Sequence, residues 1–445
     1  MTSNPVMQTQ SLCPICLRKL DAFIVEEDNK ALMHKTCLVH GSFETVLWRG
    51  KTPMREWIRT KERAFIKTPT TAIDQGCPYD CGLCSEHRQH TCTALIEVTN
   101  RCNLSCRFCF ADAMDGKNKD PKLQQLQFQF ESILKTSGKC NIQLSGGEPT
   151  VRDDLPQIVR MGVELGFPFI QVNTNGIRMA KDEGYVKALK EAGLNSIFLQ
   201  FDGVDDAIYE HLRGKALLDV KCQAIENFRK YGIGVVLVPT IVPHVNVCSI
   251  GEIIRFGIDH SPTVRGVHFQ PVSYFGRIPK APKDEERITL PEVMEHICAQ
   301  TDGMVSLGSM QPPGCENALC SFHGNYLIEE GVLKPVNKRS CCSSGNEKAE
   351  VGAEKAKAFV ARNWSYEKQA PDAKLSDWDA ILSSIANNTF SISGMAFQDV
   401  WNVNLERIKD CCIHVSTLEG KLIPFCAYNL TNNEGESLYR GSKRL

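Results

Sequence analysis

Residues 102–109 read Cys-Asn-Leu-Ser-Cys-Arg-Phe-Cys and place three cysteines at the spacing CxxxCxxC. Three thiolates this close together can bind three irons of a [4Fe–4S] cluster and leave the fourth iron without a protein ligand. A substrate or cosubstrate can then bind that iron directly. Zinc sites more often pair two CxxC units. The spacing therefore favours a reactive cluster held by Cys102, Cys106 and Cys109.

The cysteine run follows a short β-rich segment, which begins a regular alternation of strands and helices. Six strands are predicted, at Ala94–Thr99, Asn141–Ser145, Phe169–Asn173, Ser196–Phe201, Val235–Thr240 and Gly266–Gln270. Helices are predicted between them, at Leu123–Thr136, Asp154–Leu165, Glu183–Ala192, Val220–Tyr231 and Gly251–His260. Six parallel β/α units predict an α/β fold, a partial (β/α)6 TIM-type barrel. Active sites of such folds lie at the C-terminal ends of the strands, where the cysteine run falls.

The second predicted strand ends in Ser145-Gly146-Gly147-Glu148-Pro149. Paired glycines let the backbone approach a ligand closely, and the Glu148 carboxylate can accept hydrogen bonds from an ammonium group. A GGEP sequence alone is usually a turn. One β/α unit after a CxxxCxxC run, it indicates a ligand site.

With these two motifs, residues 94–272 resemble the radical S-adenosylmethionine (SAM) superfamily. The resemblance implies that Cys102, Cys106 and Cys109 are the catalytic cluster ligands and that Phe108 lies against the adenine. SAM binds the open iron in these enzymes, and a 5′-deoxyadenosyl radical abstracts hydrogen from the substrate. The resemblance also implies a SAM site at four strand ends: Gly146, Gly147, Glu148, Pro149, Asn173, Asn175, Gln200, Asp202 and Val238.

A second run, Cys77-Pro-Tyr-Asp-Cys81-Gly-Leu-Cys84, repeats the CxxxCxxC spacing upstream. No strand and GGEP sequence follow it, so it does not predict a second SAM site. An auxiliary [4Fe–4S] cluster is predicted there, with zinc as the alternative. Cys92 or a more distant cysteine can supply the fourth ligand.

The C-terminal region predicts a further auxiliary cluster. Adjacent cysteines rarely both bind one metal, so the doublets at 341–342 and 411–412 are each expected to give one ligand; the sequence does not decide which. The alternative is a set of scattered structural thiols. The predicted ligands are Cys315, Cys320, Cys342, Cys412 and Cys426.

Near the N-terminus, Cys13-Pro-Ile-Cys16 is followed by Cys37-Leu-Val-His40. Two such pairs about twenty residues apart suit a mononuclear site for zinc or for iron of the rubredoxin type. His40 either binds the metal or only shapes the turn. If it does not bind, three cysteines would need water or another side chain as the fourth ligand.

Composition and charge narrow the class of protein. The 445 residues carry a net charge of −1 and include 21 cysteines. That charge gives no field to attract nucleic acid, and no RNA-binding module stands out. No signal pattern and no apolar stretch of about 18 residues are found, so a cytoplasmic protein with metal-binding cysteines is expected. The predicted domains are an N-terminal metal-knuckle domain (1–75), an auxiliary-cluster segment (76–93), the barrel (94–272) and a cysteine-rich domain (273–445).

Along most of its length the chain is similar to the tetraether lipid synthase group of radical SAM proteins. The similarity is carried by the N-terminal cysteine pairs and by CPYDCGLC (77–84), SGGEPTVRDDLP (145–156), LQFDG (199–203) and IPFCAYN (423–429). It implies C–C bond formation at an inert alkyl carbon of a lipid, by an enzyme of the transferase or lyase type.

Two other functions stay open. Relatives in that group are also classed as pterin C-methyltransferases, so radical C-methylation of a pterin or another small molecule is the first alternative. A non-enzymatic iron–sulfur electron carrier is the second. The expected partners are a lipid or small-molecule substrate and a reductant such as ferredoxin or flavodoxin. A peripheral contact with a membrane is compatible with these expectations.

Overall fold

The computed structural model describes residues 7–113, 119–336, 348–366 and 387–440. The predicted ligand Cys342 and its neighbour Cys341 lie outside the described residues. Two β-sheets carry the fold: a four-stranded sheet near the N-terminus and a twelve-stranded sheet formed by the rest of the chain.

The N-terminal sheet is antiparallel, with its strands in sequence order. Its strands are β1 (Met7–Leu12), β2 (Lys19–Glu27), β3 (Lys30–Cys37) and β4 (Gly41–Arg49). Alternate residues of β3 are buried, as expected for a strand with one covered face. The β1–β2 turn carries Cys13 and Cys16, and the β3–β4 turn carries His40, so both turns lie at the same end of the sheet.

The large sheet begins after the second cysteine run. Its strands are β5 (Thr93–Thr99), β6 (Asn141–Gly146), β7 (Ile170–Thr174), β8 (Ser196–Gln200), β9 (Gly234–Val238), β10 (Thr240–Ile241), β11 (Val264–Pro271), β12 (Ser321–Glu329), β13 (Val332–Pro335), β14 (Thr389–Met395), β15 (Ile413–Ser416) and β16 (Leu422–Pro424).

Helices connect and cover these strands. The described α-helices are α1 (Met54–Trp57), α2 (Leu123–Ser137), α3 (Leu155–Glu164), α4 (Ile177–Lys181), α5 (Glu183–Glu191), α6 (Asp206–Arg213), α7 (Leu218–Tyr231), α8 (Ile250–Asp259), α9 (Leu290–Gln300), α10 (Ala349–Asn363), α11 (Leu405–Lys409) and α12 (Phe425–Asn429). None of them combines the length and the apolar character needed to cross a bilayer.

The predicted α/β fold with a parallel sheet is confirmed. All six predicted strands, β5 to β9 and β11, and the five predicted helices end within two residues of their expected positions. The structure adds a parallel strand on each side, because β14 pairs with β11 and β15 pairs with β5. The C-terminal region therefore extends the sheet of the barrel. The division of the chain into four domains stays a prediction.

Packing explains why these segments form a central sheet. Every residue of β9, Gly-Val-Val-Leu-Val, is buried, as in parallel sheets that are covered on both faces. Helix α8 buries isoleucines three, four and eight residues apart, the spacing of one helix face. Helix α7 ends at Gly232, whose φ of +62° is the left-handed conformation that glycine accepts at a helix end.

Candidate active site and metal centres

The Cys102 run forms the loop after β5, and all three of its cysteines line a cavity of about 1680 Å³ bordered by the parallel strands. Arg277 holds this loop. Its backbone exchanges two hydrogen bonds of 3.0 Å with Cys109, and its Nε donates to the carbonyl oxygen of Cys106 at 3.0 Å. Phe108 also lines the cavity, and its ring stands edge-on to Tyr274 with the centroids 5.9 Å apart.

The paired glycines lie directly against the cysteine loop. The Gly147 amide donates to the carbonyl oxygen of Thr99 and the Glu148 amide to that of Arg101, both at 2.8 Å. A Cβ atom on Gly146 would overlap the Thr99 carbonyl oxygen, and one on Gly147 would overlap that of Arg101. The absence of side chains here keeps backbone groups close to the cavity. Three thiols beside this backbone are a donor set that fits a [4Fe–4S] cluster and SAM.

Glu148 is buried, and its carboxylate accepts four hydrogen bonds from the protein. Oε1 accepts from the amide of Thr150 at 3.1 Å and from the hydroxyls of Thr150 and Thr174, each at 2.6 Å. Oε2 accepts from the amide of Asn175 at 2.7 Å. A carboxylate has about four lone-pair sites. Glu148 therefore ties the ends of β6 and β7 together, a role that the sequence did not indicate.

The predicted SAM-binding residues divide into two groups. Pro149 and Asp202 are not among the residues that line the cavity, because Pro149 begins a short 3₁₀ turn and Asp202 lies behind Arg213. The other predicted residues do line it, together with Phe108 and the three cysteines: Gly146, Gly147, Glu148, Asn173, Asn175, Gln200 and Val238.

Arg213 and Lys221 were not predicted, and both lie at this end of the barrel. Arg213 lines the cavity and binds both oxygens of the buried Asp202 at 2.7 Å. Burial alone would lower the pKa of Arg213, but the Asp202 carboxylate raises it, so the guanidinium stays charged. Lys221 donates to the carbonyl oxygen of Asn175 at 2.5 Å and to Gln200 at 3.2 Å, and burial lowers its pKa to about 7. Both residues lie in helices, where charged residues are usually solvent-exposed, so no pattern marked them.

The N-terminal ligand set comes together as predicted. The ligand atoms of Cys13, Cys16, Cys37 and His40 all lie within 4.8 Å of one another. His40 Nδ1 is 3.5 Å from the sulfur of Cys13 and 3.5 Å from that of Cys37. The four groups suit a tetrahedral mononuclear site.

A second compact group joins Cys92, Cys315 and Cys412, whose sulfurs also lie within 4.8 Å of one another. All three are buried and line the same cavity as the Cys102 loop. The sequence grouped Cys315 and Cys412 with Cys320, Cys342 and Cys426, and it left the fourth ligand of the Cys77 run open between Cys92 and a more distant cysteine. The structure instead places Cys92, which is distant in sequence, beside Cys315 and Cys412.

Cys411 and Cys412 are adjacent in the chain but belong to different groups of cysteines. The two residues lie in the segment that leads into β15, where successive side chains point in opposite directions. Cys412 therefore faces Cys92, whereas Cys411 faces Cys426 and Cys320. Burial raises the pKa of Cys411 well above its usual value, and the nearby side chains of Cys426 and Cys320 raise it further. Cys320 also accepts a hydrogen bond from Arg407 at 3.4 Å.

The Cys77, Cys81 and Cys84 run forms a loop beside the N-terminal sheet. Asp80 Oδ2 accepts hydrogen bonds from three successive amides, those of residues 74–76, at 2.8, 2.6 and 2.7 Å. The Tyr79 hydroxyl donates to the carbonyl oxygen of Leu17 at 2.7 Å. The loop is thus fixed by its own residues and by the N-terminal sheet. Its role as a cluster site stays a prediction.

Comparison with known proteins identifies the class. Residues 96–257 match the family model of the radical SAM superfamily, and residues 5–49 match that of the HMPTM N-terminal zinc ribbon domain. These matches agree with the barrel, the cysteine loop and the glycine pair. The chain belongs to the radical SAM superfamily.

Relatives narrow the comparison further. Over 96% of its length the chain is 36% identical to the 7,8-dihydro-6-hydroxymethylpterin dimethyltransferase of Methanocaldococcus jannaschii, and it covers 94% of that protein. It is 30% identical to the GTP 3′,8-cyclase of Campylobacter fetus subsp. fetus, over 56% of this chain and 74% of that protein. Among solved structures, Streptococcus suis SuiB is 17% identical, with a TM-score of 0.41 over 48% of this chain and 47% of SuiB.

Membership in the superfamily establishes SAM and a [4Fe–4S] cluster as cofactors, and it establishes that the enzyme takes a reductant and a substrate. The zinc ribbon match and the two compact ligand groups support additional metal sites. The comparisons do not support the predicted tetraether lipid synthase function. They favour its alternative, because the relative that matches nearly the whole chain is a pterin methyltransferase.

Proposed function

We propose that this enzyme is a radical SAM C-methyltransferase whose substrate is 7,8-dihydro-6-hydroxymethylpterin. The observation that carries the proposal is the 36% identity to a dimethyltransferase of that pterin, over 96% of this chain and 94% of the relative. The match extends beyond the barrel, which many radical SAM enzymes share, into the N-terminal and C-terminal regions.

The lining of the cavity combines aromatic rings, such as Phe198 and Trp364, with polar side chains, which suits a flat heteroaromatic substrate. Inward-facing positions of the strands carry amide, hydroxyl and imidazole groups; those that line the cavity include Gln143, Gln171, Gln270, His268, Ser391 and Ser393. Polar groups at these inward positions would stay without partners beside lipid tails. A pterin ring offers several nitrogen and oxygen atoms to such polar groups.

The roles of the residues at the Cys102 end follow from their positions. When bound, the cluster and SAM supply the radical chemistry that removes a hydrogen atom from a carbon of the substrate. We assign Cys102, Cys106 and Cys109 to hold the cluster and the backbone of Gly146 and Gly147 to border SAM. The Arg213 guanidinium, which Asp202 orients through two of its nitrogens, borders the cavity. It suits the carboxylate of the methionyl group.

The reaction also needs an external reductant and a one-carbon donor. Hydrogen removed from the pterin leaves in 5′-deoxyadenosine, and a reductant of the ferredoxin or flavodoxin class supplies the electron for SAM cleavage. A one-carbon donor supplies the methyl carbon: SAM would leave as S-adenosylhomocysteine, or a methylene carrier of the folate class would leave as its dihydro form with uptake of a proton. In either case the reductant supplies a second electron for each methyl group.

Anaerobic reconstitution with iron, sulfide, SAM, a reductant and the dihydropterin tests the proposal. The expected products are 5′-deoxyadenosine and a pterin whose mass is increased by one or two methylene units. Parallel reactions with methyl-labelled SAM and with a labelled folate-type carrier identify the one-carbon donor. A GTP-containing reaction serves as the comparison, because GTP 3′,8-cyclases are also relatives. Turnover of GTP with an unchanged pterin would overturn the proposal.

A further inference from the structure

Three aromatic side chains form one wall of the cavity: Phe198 of β8, His268 of β11 and Trp364, which directly follows α10. The rings of Phe198 and Trp364 are stacked with their centroids 5.6 Å apart. The His268 ring lies 5.4 Å from that of Phe198 and 6.2 Å from that of Trp364. This aromatic wall offers a flat ligand the offset and edge-on ring contacts that aromatic systems prefer.

The aromatic wall lies next to residues that are expected to border SAM. Phe198 stands two residues before Gln200 on β8, so the two side chains point to the same face of the strand. The register between β9 and β11 places His268 beside Val238. A ligand that packs on the aromatic wall therefore lies beside the proposed SAM site.

His268 has one ring nitrogen bonded to the protein and one that is available to a ligand. Its Nδ1 lies 2.9 Å from the hydroxyl oxygen of Ser393, on the neighbouring strand β14. Among the described residues, none forms a hydrogen bond with its Nε2. His268 is only 8% exposed and borders the cavity, so a ligand in the cavity is the partner that suits Nε2.

Ser393 determines what Nε2 of His268 offers to that ligand. Burial lowers the pKa of His268 to about 4, so the ring is neutral at physiological pH and carries one proton. When the Ser393 hydroxyl donates to Nδ1, the proton lies on Nε2. The aromatic wall then presents a hydrogen-bond donor to an acceptor atom at the edge of a flat ligand.

A chain of amides lies on the other side of Phe198 and presents an acceptor. Gln143 of β6 donates to Gln171 of β7 at 2.9 Å, and Gln171 donates to the Ser196 hydroxyl at 3.1 Å. Gln171 is fully buried, so the chain fixes the orientation of the Gln143 amide. Gln143 borders the cavity, and its Oε1 has no hydrogen-bond partner among the residues that the structure describes. Strands β7, β8 and β9 separate this acceptor on β6 from the donor on β11.

We propose that His268 donates a hydrogen bond to ring nitrogen N5 of the pterin, and that the amino-bearing edge of the pterin faces Gln143. The inference rests on the proposed function, because it takes the dihydropterin as the ligand. N5 of this molecule is an imine nitrogen and accepts a hydrogen bond, whereas the 2-amino group and N3–H of the other edge donate.

This orientation has a consequence for the reaction. N5 is bonded to C6, and the other two neighbours of C6 are the ring methylene carbon and the hydroxymethyl carbon. His268 lies beside Val238 at the SAM end of the cavity. A hydrogen bond from His268 to N5 therefore holds both of these carbons near SAM. His268 is thus a substrate-binding residue that positions the carbon to be methylated.

Equilibrium binding of 6-hydroxymethylpterin and of its 5-deaza analogue, in which C–H replaces N5, tests the contact. Both ligands are measured on the reconstituted full-length enzyme with SAM and without reductant. His268→Phe keeps a ring on the aromatic wall but removes the donor. Its preference for the pterin over the analogue is expected to be about three- to tenfold lower than that of the wild type, which corresponds to the loss of one hydrogen bond. Its affinity for SAM is expected to be unchanged.

Two further variants and a control complete the test. His268→Gln keeps a donor and is expected to show a stronger preference for the pterin than His268→Phe. His268→Leu replaces His268→Phe in the comparison if phenylalanine disturbs SAM binding. His260→Phe is the matched control, because His260 packs on Phe256 and is not among the residues that line the cavity. It should keep the preference of the wild type.

The outcomes separate this inference from the proposed function. A wild-type preference in a His268 variant that lacks a donor and still binds SAM normally would overturn the contact and leave the proposed function standing. A wild-type enzyme that binds neither 6-hydroxymethylpterin nor its analogue would contradict the proposed function, and the inference would fail with it.

Discussion

Cys92 and Cys102 lie at the two ends of strand β5 and line one cavity. The strand thus connects the Cys102 loop to the group of Cys92, Cys315 and Cys412. The members of this second group come together only in the folded chain. This arrangement encloses the substrate space between two sites that can each hold metal.

Gly147→Ala is expected to weaken SAM binding about tenfold or more. The new Cβ would overlap the carbonyl oxygen of Arg101, and relief of the overlap must move the cysteine loop. Overpacking of this kind costs about 1–3 kcal/mol. Equilibrium binding of SAM to the reconstituted enzyme measures the change. Gly184→Ala is the control, because its Cβ would meet only the Asp182 side chain at an ordinary distance of 3.5 Å. Equal affinities for both variants would contradict the close packing of backbone and ligand.

Arg213→Met is expected to destabilise the enzyme by about 3–5 kcal/mol, because it leaves the Asp202 carboxylate buried without its partner. The Asp202 side chain is fully buried and that of Arg213 is 8% exposed. The midpoint of thermal unfolding measures the loss. Arg229→Met removes an exposed ion pair with Glu226, and such pairs contribute little. Similar midpoints for the two variants would show that the buried pair does not stabilise the fold.

His268 is expected to make the fold less stable in acid. Burial lowers its pKa to about 4, below the ordinary value of about 6.5. The unfolded chain therefore binds the proton first, so the stability contributed by neutral His268 is complete above pH 6.5 and declines as the pH falls toward 4.

A His268→Leu variant lacks this proton-binding group. The difference in unfolding free energy between wild type and variant is expected to shift by about 1 kcal/mol in favour of the variant between pH 7.5 and pH 5.5. Other buried histidines affect both proteins equally. A difference that stays constant over this range would show that His268 is not held neutral in the fold.

The N-terminal site is expected to lose its metal when any one of its four ligands is removed. His40→Ala should weaken metal retention tenfold or more, because three cysteines then hold an incomplete tetrahedral site. The metal content of each variant after dialysis against a chelator measures this retention. His34→Ala, on the same sheet and paired only with Glu44 at its surface, should retain the metal. Retention by His40→Ala equal to that of the control would mean that His40 only shapes the turn.

The sequence predicted those parts of the fold and site that depend on local spacing. The Cys102 run, the glycine pair and six alternating strands are each encoded within a few residues, and the structure places them as expected. Grouping of the other cysteines depends on long-range contacts. Cys92 and Cys315 are 223 positions apart, and only the pairing of β15 with β5 brings Cys412 to them. No spacing within the sequence carries that information.

The position of Glu316 was not predicted, for a related reason. Glu316 stands next to a predicted ligand, yet a glutamate beside a cysteine is usually a solvent-exposed residue. Its position on the cavity follows from hydrogen bonds with the nearby Ser321 and with Lys61, which comes from a distant segment. Strand β14 was missed because small polar residues such as Ser391 and Ser393, whose side chains line the cavity, alternate with its buried apolar residues. Strand β15 was missed because it is only four residues long.

The mass of 5′-deoxyadenosine formed from a deuterated substrate tests the central claim most directly. The reaction uses 7,8-dihydro-6-hydroxymethylpterin that carries deuterium at its ring methylene and hydroxymethyl carbons, with the Cys106→Ala variant as the control. We predict that the wild type transfers one deuterium to 5′-deoxyadenosine and yields a methylated pterin, and that the variant forms neither product. Unlabelled 5′-deoxyadenosine together with an unmethylated pterin would contradict the account.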